Sequence, residues 1–269
     1  MENSKSKMET LPLEELEKLG LYKDGDLKLK PEDIESLLSG RRTDMVSLKG
    51  LQVEGIDIDK LDAKLSLYRD ELDNITLQIH PIYNKPQKHP LLTTLENDAL
   101  ISGEVNVISK LHKTKDDNII TVNIEYDKQT KDFVSYDPNR LPQIIEVNGL
   151  PLSASQQEDF KKGKLIELED GTKFQHSATD SQGILSDRKR LILSVLIDGG
   201  LSYLIFRELK NLRDNMHKQT EGLTKNYNET LAKLIMENKD SLDKQTTVKD
   251  YQAQLNNNTQ NDSYRYPSR

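Results

Sequence analysis

The chain has 269 residues, of which 38 are basic and 45 acidic, giving a net charge of −7, and hydrophobic residues make up only 34%. It contains no Cys, which excludes a disulfide scaffold, a thiolate zinc site and a cysteine nucleophile. The acidic balance argues against a sequence-nonspecific nucleic-acid coat, which needs many cations against phosphates. The length suits one large domain or two to three small ones. With no Trp, four Phe and a mean hydropathy of −0.73, a single filled core across the whole chain is not expected. Residues Met1–Glu9 are polar and lack the apolar stretch of an export signal, so the expected location is cytoplasmic.

Leu13, Leu16 and Leu19 recur at helical spacing and stop at Gly20. Pro31–Ser39 reads as a second helix, with Pro31 in its first turn, Glu32 and Asp33 at its positive end, and Ile34, Leu37 and Leu38 on one face. Arg41 and Arg42 follow its Gly40 stop and are expected to complement the dipole. Beyond Gly40 the period falls to two. Ala63, Leu65 and Leu67, then Ile75, Leu77 and Ile79, alternate with polar or half-polar residues and predict two strands joined by Arg69–Asn74.

The same order recurs twice. A helix over Leu95–Ser102 closed by Gly103 precedes strands over Val105–Leu111 and Ile119–Tyr126. A helix over Ser153–Lys162 closed by Gly163 precedes strands over Lys164–Glu169 and Thr172–Ser177, joined by Asp170 and Gly171, a pair in which both residues tolerate positive φ. The expected fold class is therefore α+β, built from three helix–Gly–β-hairpin units with antiparallel strands. A long apolar-then-polar C-terminal helix and a disordered, Asn- and Gln-rich tail would follow. The corresponding divisions are 1–90, 91–186, 187–240 and 241–269.

The sharpest local feature is the apolar run Leu191–Phe206, flanked by Arg188, Lys189 and Arg190 before it and Arg207, Lys210 and Arg213 after it. Read as a helix it spans about 24 Å, short of the ~30 Å hydrocarbon core. Ten strongly apolar residues at about 0.3–0.6 kcal/mol each are nearly offset by a central Asp198 at about 2.5–3.5 kcal/mol, with two Gly and two Ser adding to the cost. Ser194, Asp198 and Ser202 would form one polar stripe. Leu191, Ser194, Asp198, Ser202 and Phe206 are accordingly the candidate interaction residues of a buried helix, a membrane helix or an oligomer contact. After it, Leu223, Tyr227, Leu231 and Leu234 have the spacing of a marginal helix to about Asn238.

The search for chemistry gives little. No phosphate-cradling glycine motif or nucleophile elbow is present, and the five His are not paired at ligand spacing. No catalytic, cofactor or metal residue is assigned. His176 lies in the cluster Gln175–Gly183 with Ser177, Thr179, Asp180 and Ser181, which reads as a hydroxyl-rich loop capping nearby backbone, with a Ser–His–Asp hydrolase as the weaker alternative. Asp57 and Asp59 read as solvated charges on one strand face.

The stretches PEDIESLLSGRRTDMVSL, LDAKLSLYRDELDNITLQIHPIY, FKKGKLIELEDGTKFQHSATDSQGI and LSDRKRLILSVLIDGGLSYLIFREL resemble uncharacterised proteins of Bacteroides-type conjugative elements that carry paired domains of unknown function. The resemblance spans about Leu11 to Glu237. Similar domains occur beside or fused to type IA topoisomerase-like proteins, which implies a mobile-element setting and no transferable catalytic residues. The expected function is a non-enzymatic accessory protein that docks on a protein partner or membrane through Leu191–Phe206. The alternative is a DNA-processing accessory factor working with a topoisomerase- or helicase-like partner, its weak anion or DNA contacts being Arg188, Lys189, Arg190, Arg207, Lys210 and Arg213. Direct nucleic-acid binding is expected to be weak.

Overall fold

The computed structural model describes residues 11–53, 56–69, 74–114, 117–197, 200–207 and 225–237. Helix α1 (Leu13–Lys18), the ribbon β1 (Tyr22–Lys23) and β2 (Asp26–Leu27), and helix α2 (Pro31–Leu38) lead into an antiparallel meander of β3 (Val46–Val53), β4 (Ile56–Arg69) and β5 (Ile75–Pro81). Leu16, Leu37, Leu48, Leu51 and Leu65 form the first core. Leu48 and Leu51 both enter it although a flat strand would send them to opposite faces. Gly50 between them has φ +65°, and this left-handed residue resets the alternation.

Helix α3 (Thr94–Ser102) starts at a capping box between Thr93 and Glu96 and ends at Gly103, φ +82°. It covers a second meander of β6 (Ile108–Lys113), β7 (Ile119–Asp127) and β8 (Asp132–Tyr136) over a core of Leu100, Val122, Ile124 and Phe133. Strands β9 (Gln143–Val147) and β10 (Leu150–Pro151) follow, then α4 (Ala154–Lys161), capped by Ser153 and Gln156, and a third small sheet of β11 (Ile166–Glu167), β12 (Lys173–His176) and β13 (Ile184–Ser186). The turn between β11 and β12 uses positive φ at Gly171 alone. Gly171 N–H donates to Leu168 O and Leu168 N–H to Thr172 O, so the loop has three residues rather than the two expected.

The C-terminal region overturns the expected fold. Leu191–Phe206 is not a helix: β14 (Arg190–Ile197) and β15 (Gly200–Arg207) form an antiparallel hairpin in which Leu191 pairs with Phe206 and Ile197 with Gly200. They complete a four-stranded sheet of order β10-β9-β14-β15. The physical reason is burial on both faces of β14. Leu191, Leu193 and Val195 enter the core shared with Phe160, Phe174 and Ile184. Ile192 packs on the other side against Tyr227 and Leu234 of α5 (Lys225–Glu237). A strand covered on both faces reads as a continuous apolar run and cannot be told from a buried helix by period.

Asp198 and Gly199, which lie outside the described residues, are the two residues between the paired Ile197 and Gly200. Asp-Gly is the pair that a two-residue hairpin favours, whereas the helical reading placed Asp198 in a polar stripe with Ser194 and Ser202. The three-unit description is also too simple. Each meander has a third strand, and the four-stranded sheet belongs to no unit. The tail 241–269 lies outside the described residues. No described helix is long and apolar enough to cross a membrane.

The hairpin makes an unambiguous mutational demand. Leu193 is 2% exposed and Leu196 41% exposed. Leu193→Ala should lower unfolding stability in urea by about 2–5 kcal/mol through loss of packing and a residual cavity. Leu196→Ala should change it by less than about 1 kcal/mol. Equal losses would contradict the strand assignment.

Candidate functional site

Strand β7 has two buried faces of opposite character. Val122 and Ile124 point into the second core, while Asn123, Glu125 and Asp127 alternate with them on a polar face that is also buried. Each of the three polar residues reaches a different piece of chain. Asn123 Nδ2 donates to Lys161 O at the end of α4 (2.9 Å), and its Oδ1 accepts from the Ser109 hydroxyl (2.7 Å). Glu125 Oε2 accepts the Ala178 N–H at 2.9 Å and the Ser177 hydroxyl at 3.2 Å. Asp127 Oδ2 lies 2.7 Å from Lys64 Nζ of β4 and 3.8 Å from Arg42 Nη1.

The opposing wall is the back of the first sheet. Ala63 and Leu65 face the first sheet's own core side, and Lys64 between them crosses the seam and donates to Thr179 O at 2.8 Å. Arg42 Nη2 reaches Asp132 (3.3 Å) and Phe133 O (3.0 Å). Arg41 Nε donates to Ser181 O at 2.8 Å, and the Ser181 hydroxyl donates to Asp44 at 3.0 Å. Arg41 and Arg42 thus join distant segments instead of serving the α2 dipole. The hydroxyl-rich cluster does the same: it fills the junction between the first two meanders as well as forming its own turns.

The hydrolase constellation is brought together but not connected. His176 Nδ1 lies 3.1 Å from the Tyr136 hydroxyl and 3.6 Å from Glu125 Oε1, whereas the Ser177 hydroxyl donates to Glu125 and not to the imidazole. Asp180 accepts the Gln182 N–H at 3.0 Å. Burial, then the Glu125 charge, pushes the Tyr136 hydroxyl well above its ordinary range, so it stays protonated. Among the described residues no group of three His, Asp or Glu could hold a metal ion.

The expected interaction residues are dispersed by the hairpin. Leu191 is buried in the core and Phe206 packs against it. Ser194 pairs with Tyr203 and Ser202 with Val195, so the two serines occupy opposite faces rather than one stripe. The Ser194 hydroxyl donates to Glu146 at 3.2 Å. Arg190 is buried and paired in register with Arg207, Arg188 lies 3.9 Å from Asp187, and Lys189 is half-buried. Lys210 and Arg213, like Asp198, lie outside the described residues.

Sequence reasoning missed a groove of about 480 Å³ in the first unit. Its floor is Leu19, Leu21, Leu29 and Val46, and Ser47 and Lys49 bring it to β3, an edge strand of its sheet. Lys28 and Lys30 complete the rim. Among the described residues Lys28, Lys30 and Lys49 are exposed and in no ion pair, although the Lys30 charge acts on the Asp33 carboxylate. Lys49 stands directly opposite Lys60 in the β3–β4 register, a like-charge pairing that is unfavourable in a sheet, and only Lys60 is neutralised, by Asp62 at 2.9 Å. Asp33 also lines the groove but is buried, with its carboxylate accepting the Asp44 N–H at 2.9 Å. Burial raises the Asp33 pKa above its ordinary value.

Comparison with known proteins places this groove in the matched part of the chain. A family model described as "Protein of unknown function (DUF4099)" matches residues 7–90. No curated protein and no solved structure matches.

Two outcomes follow from the seam. Lys64→Met or Asp127→Leu alone should destabilise the chain by about 3–5 kcal/mol, because each leaves a buried charge without its partner. The double replacement should recover most of that loss in denaturant titrations. His80, across from Lys64 in the β4–β5 register and 2.8 Å from the Ser66 hydroxyl, is held near pKa 4 by burial and then by Arg42. The unfolded chain therefore takes up this proton first, and the contribution of His80 to stability is lost as pH falls from about 6.5 towards 4. His80→Gln should flatten the pH dependence of thermal unfolding across that window and leave it unchanged above pH 7.

Proposed function

We propose that the protein is a non-enzymatic interaction protein whose docking face is the groove beside β3. The observation that carries this reading is the convergence of three exposed lysines on an apolar floor at an open sheet edge. Arg41, Arg42, Lys64, Glu125 and Asp127, by contrast, are committed to the seam, where they join segments to one another. The groove also lies within the segment that matches a family model. The resemblance of the longer chain to conjugative-element proteins supplies the setting we propose, an accessory role within a mobile genetic element.

A photo-crosslinking residue at Ser47, in cells carrying the native gene, should give a discrete protein adduct. The same residue at Leu111, exposed on β6 away from the groove, should not. Adducts of equal yield at both positions, or none at Ser47, would overturn the groove as the docking face.

A further inference from the structure

The groove combines three features that select one class of occupant. First, β3 pairs with β4 on one side, and its other side borders the groove through Val46, Ser47 and Lys49. An edge strand presents a row of backbone N–H and C=O groups that an extended chain can complete. Second, the floor is leucine and valine, which takes apolar side chains at every second position of such a chain. Third, the lining carries Lys28, Lys30 and Lys49 against one buried Asp33, a cationic rim on a chain whose net charge is −7.

A lysine on an edge strand by itself only guards against unwanted pairing. Lys28 and Lys30 come from the β2–α2 connection and line the same groove, which edge protection does not require. Nucleic acid fits less well, because a leucine and valine floor gives phosphates no donor and three lysines neutralise few of them. Resting on the docking face proposed above, we infer that the groove takes an acidic extended segment of a partner protein, added to β3 as a further antiparallel or parallel strand. Its alternate apolar side chains lie on Leu21, Leu29 and Val46, and its carboxylates lie opposite the three lysines.

The test uses the full chain and a capped, fluorescent peptide of sequence Glu-Val-Glu-Val-Glu-Val-Glu, with its Lys-for-Glu counterpart and a short DNA duplex as comparators. The acidic peptide should bind in the micromolar range at low salt. Lys28→Glu/Lys30→Glu/Lys49→Glu should weaken it by tenfold or more while leaving the thermal midpoint unchanged. Amide exchange at Val46–Lys49 should slow when the peptide is bound. No binding at millimolar peptide, equal binding of the basic peptide, tighter binding of the duplex at the same lysines, or binding without slowed exchange along β3 would each overturn the inference. If Ser47 still captured a protein while the acidic peptide failed, the docking face would stand and only this occupant would fall.

Discussion

The contact between Lys64 and Asp127 holds the rest of the architecture in place. Both side chains are almost fully removed from water, and their charged atoms lie 2.7 Å apart. Neither could be buried alone without a penalty of several kcal/mol. Each therefore demands the other's sheet at a fixed distance and in a fixed register. Arg42, Asp132 and the Thr179 carbonyl complete the arrangement. A purely apolar seam would allow the meanders to slide; charges that must meet do not.

This also explains how so hydrophilic a sequence folds. Among the described residues the buried apolar side chains fall into four separate clusters rather than one, and the first two cores lie beneath their own sheets. The area between them is filled by Asn123, Glu125, Asp127, Lys64, Arg42 and the hydroxyls of Ser177 and Ser181. Each of these groups meets a donor, acceptor or opposite charge from another segment, but Arg42 Nη1, Glu125 Oε1 and Asp127 Oδ2 make no hydrogen bond.

Local patterns carried the elements, and tertiary context hid their uses. The alternation at Ala63–Leu67 and Ile75–Ile79 identified the pairing of β4 with β5, and Gly103 marked the end of α3. In β7 the same alternation was visible, but Asn123, Glu125 and Asp127 look like the solvated side of a half-buried strand. Nothing nearby in sequence reveals that Lys64 and Ala178 will cover them. The apolar hairpin failed for the complementary reason: covering β14 on both sides erased the alternation, and the remaining local clue was the Asp198–Gly199 pair. The lysine groove was invisible because Lys28 and Lys49 come together only when β3 is laid beside the β2–α2 connection.

The spacing of the seam partners along the chain has a consequence for synthesis. Ser36 meets the Ser181 carbonyl across 145 residues and Lys64 meets that of Thr179 across 115. A ribosome releases α1 through β5 long before either carbonyl exists. Until Asp127 and Asp132 arrive, Arg42 and Lys64 on the back of the first sheet lack their acidic partners and must be hydrated. The face that water covers in the half-made chain therefore closes in two steps, first on the carboxylates of β7 and β8 and last on the carbonyls of Thr179 and Ser181.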